Sequence, residues 1–252
     1  QQQKSCIGRR KPVFNRVFCD LRNFTGMSEQ LDPKEVVKLL NDYFTIMTSI
    51  LYEAGATIDK YVGDSIMAFW GAPLPQEDHM QRAVQASFVM HDRMHELSAI
   101  FHSRGLPSPT IGIGINSGIM NVGNMGSQYR LAYTVIGDAV NLAFRFQTAT
   151  REYLVPTIVG EATAKGYPDM IFRELDTVAV KGKAQETRIY EPICLKSELS
   201  AEKRQMLDAH AQALEAWYNR DRSQARLQFS LLASQYPEDG YYARMVDKAT
   251  ER

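Results

Sequence analysis

The spacing of apolar and polar positions switches repeatedly between a period of two and a period of 3.6, and those switches predict the elements. Residues 1–12 are polar and basic and read as the end of a linker. Residues 13–21 form an apolar run that predicts a strand with Asp20 near its end. Asp32 followed by Pro33 is a helix-start signal, a capping carboxylate ahead of a residue suited to the first helical position. Val36, Leu39, Leu40, Tyr43, Phe44, Met47, Ile50 and Leu51 then repeat at helical spacing until Gly55. Residues 57–61 and 65–70 flank Val62-Gly63-Asp64, which reads as a hairpin. A second helix is expected over about 76–104. Residues 110–116 alternate Ile with Gly, the pattern of a central strand approached closely by backbone or ligand. Residues 118–126 read as a return strand, 137–150 as a third helix, and 156–159, 172–183 and 187–193 as strands. This order predicts an α+β, ferredoxin-like or palm-type sandwich, with helices packed on a largely antiparallel sheet. From Ser200 the pattern is helical throughout and suggests a C-terminal helical pair, a single helix-turn-helix unit. Such a unit buries its face poorly alone and is expected to pack on the main domain, a partner or further sequence. The expected division is thus 1–12, 13–196 and 197–252.

Composition narrows the function classes. The 252 residues are 44% hydrophobic, with 29 Lys+Arg against 29 Asp+Glu. That balance lacks the basic field of a nucleic-acid binder, so no nucleic-acid partner is expected. Cys6, Cys19 and Cys194 are odd in number and far apart, which favours a reducing, cytoplasmic setting over a disulfide framework. No apolar run reaches the roughly 18 to 20 residues of a membrane span. The chain begins Gln-Gln-Gln-Lys rather than with Met, and is expected to be cut from a longer parent carrying an upstream sensor or membrane region, with this part on the cytoplasmic side.

Two segments carry the candidate chemistry. Residues 17–25 and 61–69 each set one carboxylate, Asp20 or Asp64, beside an apolar run. Either residue alone reads as a turn cap. As a pair they suit divalent cations, because Mg²⁺ takes one or two protein carboxylates and fills its remaining positions with phosphate oxygens and water. His79, His91 and His95 have no matching ligands at metal spacing and read as solvated helix histidines.

Five segments together resemble the catalytic domain of the class III nucleotidyl cyclases, over roughly residues 12–195. They are Phe18-Cys19-Asp20-Leu21-Arg22-Asn23-Phe24-Thr25, Ile58-Asp59-Lys60-Tyr61-Val62-Gly63-Asp64, residues 112–118, residues 133–143 with Arg145, and Val180-Lys181-Gly182-Lys183. The resemblance implies that Asp20, Asp64 and the backbone carbonyl of Leu21 bind two Mg²⁺ or Mn²⁺ ions, and that the amides of Asn23, Phe24 and Thr25 cradle phosphate. Where relatives commonly carry Gly this chain has Asn23, a residue that tolerates left-handed backbone. Lys60 and Thr134 match the two base-reading positions. Lys can donate to adenine N1 and a Thr oxygen can accept from the exocyclic amino group, whereas guanine presents the opposite pattern. The Lys/Thr pair resembles a bacterial adenylyl cyclase subgroup that includes bicarbonate-responsive members, which makes bicarbonate a candidate stimulus. Asn141 and Arg145, four apart on one helix face, match the pair that orients the ribose and neutralises the α-phosphate. Lys181 matches the lysine that reaches the terminal phosphates; Lys183 competes for that part, and Arg130 is a further loop cation. Asp138 falls in the helix-start turn and is expected to cap the helix rather than to bind metal. The resemblance also implies a head-to-tail homodimer whose sites are shared, and an adenylyl cyclase that makes 3′,5′-cyclic AMP and pyrophosphate from ATP. The alternatives are a guanylyl cyclase, against which Lys60 and Thr134 argue, and a catalytically silent dimerisation module.

Overall fold

The computed structural model describes residues 13–29, 31–103, 105, 108–179 and 186–251. A seven-stranded sheet is built from β1 (Val13–Arg22), β2 (Thr57–Val62), β3 (Ser65–Trp70), β4 (Thr110–Ile119), β7 (Thr157–Gly160), β8 (Met170–Ala179) and β9 (Glu186–Leu195). Its spatial order is β2-β3-β1-β4-β7-β9-β8. Only β4 and β7 run parallel; the other neighbours are antiparallel. The α+β sandwich expected from the sequence is therefore present.

Helices α2 (Pro33–Glu53) and α3 (His79–Ser103) cover one face. Leu39, Tyr43, Met47 and Leu51 of α2 and Val84, Met90 and Met94 of α3 bury against Val17, Cys19 and Leu21 of β1 and Ile111, Ile113 and Ile115 of β4. The predicted start of α2 is realised: the Asp32 side chain accepts from the Lys34 amide at 2.8 Å and Pro33 opens the helix. On the opposite face α4 (Asp138–Glu152) crosses β4. Gly114 is the reason it can. A Cβ there would lie 2.2 Å from both the Ala143 carbonyl oxygen and the Gln147 amide nitrogen, and one at Gly112 would lie 2.4 Å from Thr150 Oγ1. What the alternating Ile-Gly strand admits is thus the backbone of α4.

The structure corrects several sequence-based expectations. Residues 24–28, to which the sequence pattern assigns no element, form the short helix α1 (Phe24–Ser28). The single return strand is a two-stranded ribbon, β5 (Asn121–Ser127) with β6 (Arg130–Ile136), separate from the main sheet. Its repeated Gly and polar residues hide the period-two pattern. The C-terminal region holds three helices rather than a pair: α6 (Ala201–Tyr218), α7 (Arg222–Gln235) and α8 (Gly240–Thr250), after the short α5 (Glu161–Lys165) within the sheet region. A capping Asp239 before Gly240 was the missed signal for α8.

These three helices pack on the main domain. Leu214, Phe229, Tyr241, Tyr242 and Met245 share one core with Phe146, Tyr153, Ile158, Leu175 and Ile189. One ion pair keys the contact: buried Arg173 of β8, already paired with Glu191 of β9, also bonds Asp239 at the cap of α8. His79 and His91 are also not solvated as expected. His79 is buried with Nδ1 3.0 Å from Asn15 Oδ1, and His91 Nε2 lies 2.9 Å from Thr157 Oγ1; His95 is exposed. Cys19 and Cys194 are free and buried.

Candidate active site

The carboxylates meet because of strand register. β1 and β3 pair antiparallel with Cys19 opposite Ile66, so one step further along β1 Asp20 comes beside Ser65 and the β2–β3 turn that carries Asp64. Gly63 holds that turn in left-handed backbone, φ 61°. Ser65 Oγ donates to Asp20 Oδ1 at 2.5 Å. Burial, and then the charge of Asp20, push the Asp64 carboxyl up to about 6. Two carboxylates in contact, with the Asp64 group pushed toward its protonated form by burial and by its neighbour, are the donor set a hard divalent cation neutralises, and the adjacent Leu21 carbonyl adds a third oxygen. The residues present therefore fit the implied metal. α4 presents two further groups to the same place: Arg151 Nη2 lies 2.7 Å from Asp20 Oδ2 and 3.3 Å from the Leu21 carbonyl, and Gln147 Nε2 lies 3.4 Å from Asp20 Oδ2. Neither was found from sequence, because both contacts join positions more than 120 residues apart with no motif between them.

Asn23 sits at the start of α1 in left-handed backbone, φ 59° and ψ 24°, the conformation its residue type suits. The chain thereby turns directly from Asp20 and Leu21 into a helix start at Phe24 and Thr25, whose first amides have no intrahelical acceptor.

A second cluster forms where the β5–β6 ribbon meets β2. Thr134, buried on β6, donates from Oγ1 to Asp59 Oδ2 at 2.9 Å, and Lys60 Nζ lies 3.4 Å from Asp59 Oδ1. Arg16 Nη1 also bonds Asp59 Oδ2, at 2.6 Å. The two residues expected to read a base are thus joined through one carboxylate. Asp59 and Arg16 were missed in the sequence, where a strand Asp beside a Lys suggests only a solvated pair.

Asn141 and Arg145 lie on α4, Asn141 exposed and Arg145 half-buried. It is Gln147 and Arg151 that α4 turns toward Asp20 within one chain. Arg130, expected on a loop, opens β6 opposite Ser127, and Asp138 is not the cap expected of it: Gly137 holds that position and Asp138 sits in the first turn of α4. Lys181 and Lys183 lie outside the described residues.

Fold, motif order and paired carboxylates define a nucleotidyl cyclase domain. Residues 12–191 match the Adenylate and Guanylate cyclase catalytic domain family, and the chain belongs to it. It is 32% identical over 178 residues to Adenylate cyclase 1 of Rhizobium meliloti and 37% identical over 183 residues to an adenylate cyclase of Anabaena cylindrica. Those matches take in 70% and 69% of this chain but only 27% and 36% of the relatives' lengths. Among solved structures, the adenylyl cyclase CyaB from P. aeruginosa is similar with TM-score 0.68 at 32% identity, covering 75% of this chain and 97% of that one. The guanylyl cyclase Cya2 is equally similar, TM-score 0.68 at 33% identity over 75% of this chain and 95% of that one. Structural likeness is thus equal to an adenylyl and a guanylyl cyclase and does not by itself choose the base.

Proposed function

We propose that this domain is an adenylyl cyclase, converting ATP to 3′,5′-cyclic AMP and pyrophosphate at sites shared by two copies of the chain. The observation that carries the base assignment is the convergence of Lys60 and Thr134 on the two oxygens of Asp59, which sets an ammonium donor and a hydroxyl side by side. Adenine offers an acceptor at N1 and a donor at its amino group, and that pair complements it. A site whose buried polar groups are left unpaired by the wrong ligand discriminates strongly.

Asp20, Asp64 and the Leu21 carbonyl would hold two Mg²⁺ or Mn²⁺ ions. When bound, these ions supply polarisation of the 3′-hydroxyl and neutralisation of the departing pyrophosphate. The chain's own groups orient the rest. Amides at Asn23, Phe24 and Thr25 receive phosphate oxygens, Asn141 holds the ribose, Arg145 meets charge that grows on the α-phosphate, and Lys181 reaches the terminal phosphates. In-line attack needs these groups around one nucleotide. Within one chain they form two sets: carboxylates at the β1 end, and the base-reading pair at the ribbon. Tyr61 and Val62 on β2, Leu131, Tyr133 and Ile136 on β6 and Phe144 on α4 are exposed apolar side chains near the second set, which supports a second copy as their cover. Stimulation by bicarbonate and control by an upstream sensor extend the same reading.

Turnover of ATP against GTP with Mn²⁺ at several protein concentrations tests it. We expect cyclic AMP as the main product and a rate per chain that rises with concentration. Faster turnover of GTP, or no cyclic product from either nucleotide, overturns the proposal.

A further inference from the structure

Thr134 is an ambiguous reader when considered alone. A threonine hydroxyl both donates and accepts, so by itself it suits the amino group of adenine and the O6 of guanine equally. The surroundings of Thr134 remove that ambiguity. Its hydroxyl proton is committed to Asp59 Oδ2 at 2.9 Å, which leaves only lone pairs for a ligand. The Asp59 side chain is 1% exposed and that of Arg16 is 2% exposed, so the acceptor is a carboxylate held inside the protein beside a guanidinium 2.6 Å away. Arg16 is fixed in turn by two aromatic rings, Phe18 at 5.0 Å and Phe69 at 6.0 Å from its guanidinium carbon. Burial lowers the Arg16 pKa and the charge of Asp59 opposes that fall, as expected of a mutually dependent pair.

Backbone geometry aims the carboxylate. The β2–β3 pairing shifts register between Ile58 and Lys60, so Asp59 is the extra residue of a β-bulge. A regular strand would send Asp59 and Lys60 to opposite faces. The bulge instead lets the same carboxylate reach Arg16 and Thr134 through one oxygen and Lys60 through the other, at 3.4 Å.

We infer that Asp59, anchored by Arg16, is the residue that sets nucleobase choice, by holding the Thr134 hydroxyl as an obligate acceptor. Asp59 is a positioning residue and touches no substrate. The inference rests on the adenylyl cyclase reading for its substrate but makes a separate claim, that selectivity resides in the orientation of Thr134 rather than in its mere presence.

The test is a double-mutant cycle. Removing Asp59 alone strands a buried guanidinium, so the pair Arg16→Met with Asp59→Leu replaces the ion pair by apolar side chains, an exchange that buried pairs often tolerate. Arg16→Met with Asp59→Ala is the second version should the first not melt as a folded protein. Wild type, the pair variant, Thr134→Val and the combined triple variant are compared in two ways. One is the ratio of kcat/KM for ATP over GTP; the other is the ratio of affinities for non-hydrolysable ATP and GTP analogues. The pair variant frees the Thr134 proton to donate to guanine O6, and both ratios should fall by about tenfold or more. In the Thr134→Val background the same pair should change them clearly less, because no hydroxyl remains to be oriented and only the loss of the Lys60 contact is left. Thr134→Ser should keep the wild-type ratios. An unchanged ratio in the folded pair variant, or an equal fall in both backgrounds, overturns the inference. If the wild type makes no cyclic AMP but binds the ATP analogue selectively through this cycle, the cyclase reading fails and the Asp59 inference stands. If cyclic AMP is made and the cycle shows no coupling, only the Asp59 inference fails.

Discussion

His210 of α6 lies in a nest of aromatic rings, with Phe229, Tyr241 and Tyr242 centroids 6.3, 5.5 and 5.9 Å away. Its Nε2 donates to the Glu174 carbonyl at 2.7 Å, and its Nδ1 is buried without a partner. A proton added at Nδ1 would create an unpaired charge; burial first, and the nearby Arg173 charge second, lower the pKa to about 4. The folded state therefore keeps this ring neutral while the unfolded chain takes a proton near pH 6.5. Stability from this group is complete above that value and is lost as pH falls toward 4. At pH 5 the loss amounts to about 2 kcal/mol. Chemical denaturation at pH 7 and pH 5 should show His210→Gln losing less stability on acidification than wild type by about that amount; equal losses would mean the ring takes its proton without cost.

At the scale of elements, α4 connects the parts of the site. Its buried face, Ala143, Phe146, Gln147 and Thr150, lies on β4, its Gln147 and Arg151 reach Asp20, and its other side carries Asn141 and Arg145. The seat is made by glycines in β4, so Gly114→Ala is the substitution that tests it. The added methyl would enter 2.2 Å from backbone atoms of α4, which cannot rotate away. Overpacking of this kind costs about 1–3 kcal/mol. We expect urea denaturation to record that loss and cyclase activity to fall by more than the unfolded fraction explains, because α4 must lift from the strand. Full activity with unchanged stability would show that the strand and helix separate without consequence. The glycine periodicity made a close approach legible in advance, but its identity as helix backbone was not, since ligand and helix both ask for a missing Cβ.

For the molecule as a whole, the decisive question is how many chains complete one site. In the proposed dimer, one copy supplies Asp20 and Asp64 and the other supplies Lys60, Thr134, Asn141, Arg145 and Lys181. Asp64→Ala and Arg145→Ala proteins should each be inactive alone. Mixed in equal amounts, random pairing makes half of the dimers mixed, and each mixed dimer holds one intact site of its two, so about a quarter of wild-type activity should return. Mixed dimers demonstrated by differential tagging but lacking activity would rule out sharing. The three C-terminal helices bear on assembly too, since they occupy the sheet face over β8 and β9 and extend the core around Phe146, Tyr153 and Leu175.

Local order along the chain was enough to determine the α+β layering, the capped start of α2, the helix carrying Asn141 and Arg145, and the two acidic segments. Each of these depends on residue spacing or on capping and turn chemistry within a few positions. Only the tertiary structure decided that Asp59 is buried against Arg16 and holds Thr134, that Arg151 and Gln147 meet Asp20, that the ribbon stands apart from the sheet, and that His79, His91 and His210 are enclosed. Those contacts join positions 36 to 131 residues apart, apart from the strand turns of the ribbon. The physical reason is that a charge or an imidazole carries no local mark of its future burial; its partner and its proton affinity are set by whichever distant strand or helix packs over it.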